Sequence, residues 1–115
     1  MGVKADFNGD GGLDEAALLI NDRAGRFALF ARLAGAPRAF RLSGSSNLGG
    51  LWDHGISVGK PADYRTACSR GLGGDGPCRP KIRARWPVIL FEHYEAAVTI
   101  FAWDGRAFVQ DSLSD

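Results

Sequence analysis

Short apolar runs alternate with polar, glycine-rich breaks along the chain, and helical spacing is hard to place anywhere. Ala16–Asn21 and Arg26–Leu33 are two apolar arms joined by Asp22-Arg23-Ala24-Gly25, which predicts a β-hairpin with a short polar turn. Both arms are apolar at odd and even positions, so both faces of each are expected to be covered. Gly35-Ala36-Pro37 predicts a turn and Arg38–Leu42 a third strand. Leu48–His54 holds Gly49, Gly50 and Trp52; Trp52 is expected as a core plug, with an exposed aromatic anchor as the alternative. Gly55–Val58 predicts a short strand that Lys60-Pro61 ends. From Pro80 the chain alternates, with Lys81, Arg83 and Arg85 on one side and Ile82 and Ala84 on the other, until Trp86-Pro87. Val88–Phe91 and Ala96–Trp103 follow as strands, and Asp104-Gly105 predicts a type I′ turn returning through Arg106–Gln110. The pattern predicts one mainly β domain over residues 1–115, with about seven to eight short antiparallel strands in a meander, sandwich or propeller-like arrangement. The one helical alternative is Asp14–Ile20, which Asp14 would cap.

A length of 115 residues suits one domain with one modest core, and a 45% hydrophobic fraction argues for a folded globule. Sixteen glycines fit a turn-rich chain. The net charge of +1 gives no overall steering, but the charges are segregated. Asp6, Asp10, Asp14, Glu15 and Asp22 lie near the start; Arg65, Arg70, Arg79, Lys81, Arg83 and Arg85 lie later, with only Asp75 among them. Of the 14 basic residues all but Lys4, Lys60 and Lys81 are arginine, which favours forked contacts to carboxylate or phosphate. No apolar run approaches the roughly 18 residues of a membrane helix, and no signal-peptide pattern is visible ahead of Asp6. Nucleic-acid binding is not expected without interleaved aromatics or a high net charge.

The densest chemistry is in Asp6-Phe7-Asn8-Gly9-Asp10-Gly11-Gly12-Leu13-Asp14. Side-chain oxygens recur at Asp6, Asn8, Asp10 and Asp14, Gly11 stands where a cation loop turns sharply, and Gly12 offers a backbone carbonyl. An all-oxygen set suits a hard cation such as calcium, and without one the three carboxylates would repel each other. The bland alternative is an Asp/Asn/Gly-rich turn that starts a strand. An EF-hand is excluded, because Ala17 stands where that loop carries a bidentate Glu and no helix precedes it. The motif resembles the calcium loop of FG-GAP and VCBS-type repeats, found in integrin-alpha propellers and in many exported bacterial proteins. That resemblance covers about the first 35 residues. It implies that Asp6, Asn8, Asp10, Gly12 and Asp14 bind calcium and brace a β-hairpin, without implying a full propeller.

Cys68 and Cys78 flank a Gly- and Pro-rich segment able to close a loop, and a disulfide there predicts a periplasmic or secreted protein. Two separate thiols, or a zinc site with His54 and His93, are the alternatives. Gly71-Leu72-Gly73-Gly74-Asp75-Gly76 matches a dinucleotide fingerprint only in spelling, because prolines follow it where a helix is needed. Neither Asp53-His54 nor the Glu92/Glu95 pair comes with the partners that general-base or glycosidase chemistry requires, so no enzyme is expected. Arg79, Lys81, Arg83 and Arg85 are expected either to guard an edge strand or, with Trp52 as an anchor, to bind a protein partner or an anionic polymer. More loosely, the glycine-rich cysteine-containing middle and the Trp103-Asp104-Gly105 hairpin resemble small exported bacterial proteins. Some of these are similar to immunity proteins against lysozyme-like toxins and to periplasmic lysozyme inhibitors. The functional expectation is therefore an exported binding protein of immunity or inhibitor type, with a calcium-braced structural or adhesion module as the alternative.

Overall fold

The computed structural model describes residues 2–72, 77–94 and 97–114. They form three antiparallel layers. Strands β1 (Gly2–Ala5), β2 (Asp14–Asn21), β3 (Arg26–Arg32) and β4 (Phe40–Arg41) pair in that order, with β5 (Ser46–Asn47) also on β3. A second sheet has the order β11-β10-β9-β6, from β6 (His54–Gly59), β9 (Val88–His93), β10 (Ala97–Trp103) and β11 (Phe108–Ser114). The third layer is the hairpin of β7 (Asp63–Arg65) and β8 (Lys81–Arg83). The mainly β expectation holds, with more and shorter strands than the apolar runs suggested. Two short 3-10 turns, Leu48–Asp53 and Cys68–Arg70, are the helical elements among the described residues, and no helix there is long and apolar enough to cross a membrane.

The second sheet is the middle layer. Ile89 and Phe101 project from it into a core shared with Phe7, Ala16, Leu18, Phe27, Leu29 and Ala31 of the first layer. The intervening residues Val88, Ile100 and Ala102 project the other way, onto Ile82, Ala84 and Tyr64 of the hairpin layer. Alternate residues of β9 and β10 thus feed two different cores, which is why both strands read as nearly continuous apolar runs.

Period two decides β2 as a strand, since Ala16 and Leu18 face the core. Asp14 caps no helix. The β2–β3 turn lies where expected, closed by Gly25 N–H on the Asp22 carbonyl (3.2 Å) and Ala24 N–H on Asn21 Oδ1 (3.1 Å). The expected covering of both faces does not hold for β2: Leu19, on the face away from Ala16 and Leu18, is 49% exposed, and Ile20, on the core side but at the end of the strand, is 50% exposed. The expected third strand shrinks to Phe40–Arg41, because the Ser43 side chain takes over the ladder and accepts Leu29 N–H at 2.9 Å. The Asp104-Gly105 turn is wider than type I′. Trp103 pairs with Phe108, and Asp104 Oδ1 accepts both Arg106 N–H (2.8 Å) and Ala107 N–H (2.9 Å). This is an Asx-type closure in which the side chain replaces a second backbone turn.

Candidate functional site

The acidic loop is the tip of the β1–β2 hairpin, which Ala5 and Asp14 close as a cross-strand pair. Inside it, side-chain oxygens hold backbone donors. Asp6 Oδ1 accepts Gly9 N–H (2.9 Å) and Asp10 N–H (3.2 Å), and Asp6 Oδ2 accepts Gly11 N–H (2.9 Å). Asn8 Oδ1 also accepts Asp10 N–H (3.3 Å), and Asp10 Oδ1 accepts Gly12 N–H (2.8 Å). Gly11 makes the sharp turn at φ 86°, in the left-handed region that favours glycine. Gly9 must lack a Cβ because the Trp86 indole lies directly against its Cα. Phe7 points the other way, fully buried in the core, and fixes the loop to the first layer.

Asp14 has no exposed surface. Its Oδ2 accepts Phe7 N–H and its Oδ1 accepts Ala34 N–H, both at 2.8 Å. Carboxylate oxygens of Asp6, Asp10 and Asp14 lie within 4.8 Å of one another. The ion pairs among the described residues are Lys4–Glu15 and Lys81–Asp63, and neither involves this cluster. Asp6 Oδ1 accepts two amides, but Asp6 Oδ2, Asp10 Oδ1 and both Asp14 oxygens accept one each, so lone pairs remain for a ligand. The cluster can hold a metal ion.

A second feature lies across the molecule's third layer. A groove of about 300 Å³ runs beside β8, lined by Arg79, Lys81, Arg83, Trp103 and Asp104 and floored by Ile82, Ala102 and Val109. The predicted alternation holds, with Ile82 buried and Lys81 and Arg83 exposed. Arg85 is exposed but does not line the groove. Trp52 is 82% exposed on the 3-10 turn before β6, so it is not a core plug, and it does not line the groove either. The sequence reading missed Trp103, which Phe108 holds edge-on across the hairpin at 5.2 Å between centroids.

Cys68 and Cys78 form a disulfide, with Cα atoms 5.8 Å apart, so neither serves a metal. Gly73 to Gly76 of the fingerprint-like run lie outside the described residues, as does Glu95. Buried Thr66 links the bridge to the groove, because its Oγ1 donates to the Arg79 carbonyl at 2.5 Å. His54 stacks on His93 at 4.4 Å between centroids and on Phe91 at 5.3 Å, and its Nδ1 is hydrogen-bonded to the Gly50 carbonyl at 2.7 Å. These contacts give it a packing role at the edge of the core. Comparison of the chain with protein-family models, with curated proteins and with solved structures returns no match.

Proposed function

We propose that this is a calcium-binding exported binding protein of immunity or inhibitor type, acting on a lysozyme-like or other periplasm-acting enzyme. The observation that carries the proposal is the groove beside β8, a concave surface with three cationic side chains against one carboxylate, Asp104, an aromatic wall and an apolar floor. The excess positive charge of this groove is complementary to the acidic surface around the active site of a carboxylate-based hydrolase. The disulfide beside it lowers the ordering cost of binding, and it is consistent with an oxidising compartment. Calcium is the cation we assign to Asp6, Asn8, Asp10, Gly12 and Asp14, on their all-oxygen chemistry and on the resemblance to FG-GAP and VCBS-type loops.

A second reading, a calcium-braced adhesion module, is favoured by one observation, the 82% exposure of Trp52. One capture experiment separates the two. The protein is immobilised and exposed to periplasmic extract of its native host, alongside R83E/R85E and W52A. Inhibitor-type binding predicts that an enzyme is retained and that its capture falls at least tenfold in R83E/R85E. Capture that ignores R83E/R85E and vanishes in W52A would favour the adhesion module.

A further inference from the structure

The hydrogen-bond register of β8 says how its groove can be used. Thr66 N–H bonds the Pro80 carbonyl (3.2 Å) and Ala84 N–H bonds the Ala62 carbonyl (2.9 Å), with Tyr64 opposite Ile82 between them. Even-numbered residues of β8 therefore point their backbone groups at β7. By the alternation of antiparallel ladders, the N–H and C=O groups of Lys81 and Arg83 point away from it. Among the described residues β8 pairs with β7 alone, so this second edge faces the groove. The groove floor beside it is apolar, from Ala102 and Val109 of the middle sheet.

We propose that β8 accepts an added antiparallel strand from its partner, and that this strand has an acidic–apolar–acidic sequence. The inference rests on the binding-protein reading above and supplies its mode and chemistry. Directly opposed residues of an antiparallel pair share a face. The residue opposite Ile82 therefore points down at Ala102 and Val109 and must be apolar. Its two neighbours point up, opposite Lys81 and Arg83, and carboxylates suit them, because among the described residues Asp63 of β7 is the one acid set against these two cations, 3.8 Å from Lys81 and opposite Arg83. A second copy of this chain is a poor occupant. Antiparallel pairing about Ile82 would set Lys81 of one copy against Arg83 of the other, and directly opposed like charges destabilise a ladder. The same charges that guard the edge against self-association thus select an acidic strand. Main-chain bonds to Lys81 and Arg83 would supply affinity, and the alternating side chains specificity.

The probe is the blocked peptide acetyl-Thr-Glu-Val-Glu-Thr-amide, titrated into the full oxidised chain in calcium and followed by NMR. In the proposed register both Glu N–H groups bond β8, and the Val N–H points away. N-methylation at both Glu residues should weaken binding roughly tenfold or more, for the loss of two hydrogen bonds. N-methylation at Val should leave binding unchanged, and the parent peptide should slow amide exchange at Lys81 and Arg83. R83E should weaken the Glu peptide and favour its Lys counterpart. Equal binding of both methylated forms would overturn strand addition while leaving a charge-based groove intact. Absence of any peptide binding also overturns it, and capture of the periplasmic partner by wild type but not R83E/R85E would show that the binding-protein reading survives.

Discussion

At Asp14 a carboxylate with no exposed surface accepts backbone N–H groups from Phe7 and Ala34, on either side of it in sequence. Asp10, in the same cluster, is exposed and accepts only Gly12 N–H. Substitution separates their roles. Asp14→Ala orphans the buried Phe7 N–H and frees the part-buried Ala34 N–H to water, and should cost about 1–3 kcal/mol in chemical denaturation, mostly from Phe7. Asp10→Ala should cost about 1 kcal/mol or less in the absence of calcium, yet remove any calcium response. Equal losses in the two variants would refute this division. The residue types and spacing of the loop made its convergence of Asp6, Asp10 and Asp14 readable, and the turn at Gly11 lies where expected. The partners of Asp14 were not readable, because a backbone N–H is common to nearly every residue and only the fold decides which one arrives. Trp86 against Gly9 and Trp103 in the groove were hidden for the same reason.

Among elements, the β10–β11 turn carries a local pH signature. The Ala107 and Arg106 N–H groups hold the Asp104 carboxyl below its ordinary range. A depressed folded-state pKa contributes stability above the unfolded value, and that contribution disappears as pH falls through the folded one. The Arg106 and Ala107 amide resonances should therefore titrate together at a pH below that of an ordinary aspartate, and Asp104→Asn should abolish the transition. The disulfide acts at the same scale. Reducing Cys68–Cys78 should lower stability by about 3 kcal/mol in the loop-entropy model and should broaden amide signals around Arg79 to Arg83 before those of β9. A mass shift on alkylation without loss of stability would contradict this. The β2–β3 hairpin and the β8 alternation were legible because local period and turn chemistry determine them. Strands β1 and β7 were not, since Gly2–Ala5 and Asp63–Arg65 are too short to carry a period of their own and become strands only by pairing with β2 and β8.

For the whole molecule, the order of layers is the part that no local pattern encodes. The apolar runs of β9 and β10 read as strands, but neither their covering on both faces nor the segments that cover them was readable. Cation binding at the tip of the first layer should register globally, because a ligand specific for the folded state stabilises it by mass action. At calcium a hundredfold above its dissociation constant the gain is about 2.7 kcal/mol, or a melting-temperature rise on the order of 10 °C for a domain this small. A chelator should reverse the rise, and an unmoved melting curve would remove calcium from the assignment. The three tryptophans make such events optically separable. Trp86 touches the acidic loop, Trp103 lines the groove beside β8, and Trp52 stands in solvent outside the groove lining. With Trp52 replaced by phenylalanine, emission changes on adding metal should come from Trp86 and those on adding peptide from Trp103, so the protein carries a separate intrinsic fluorophore for each of its two candidate sites.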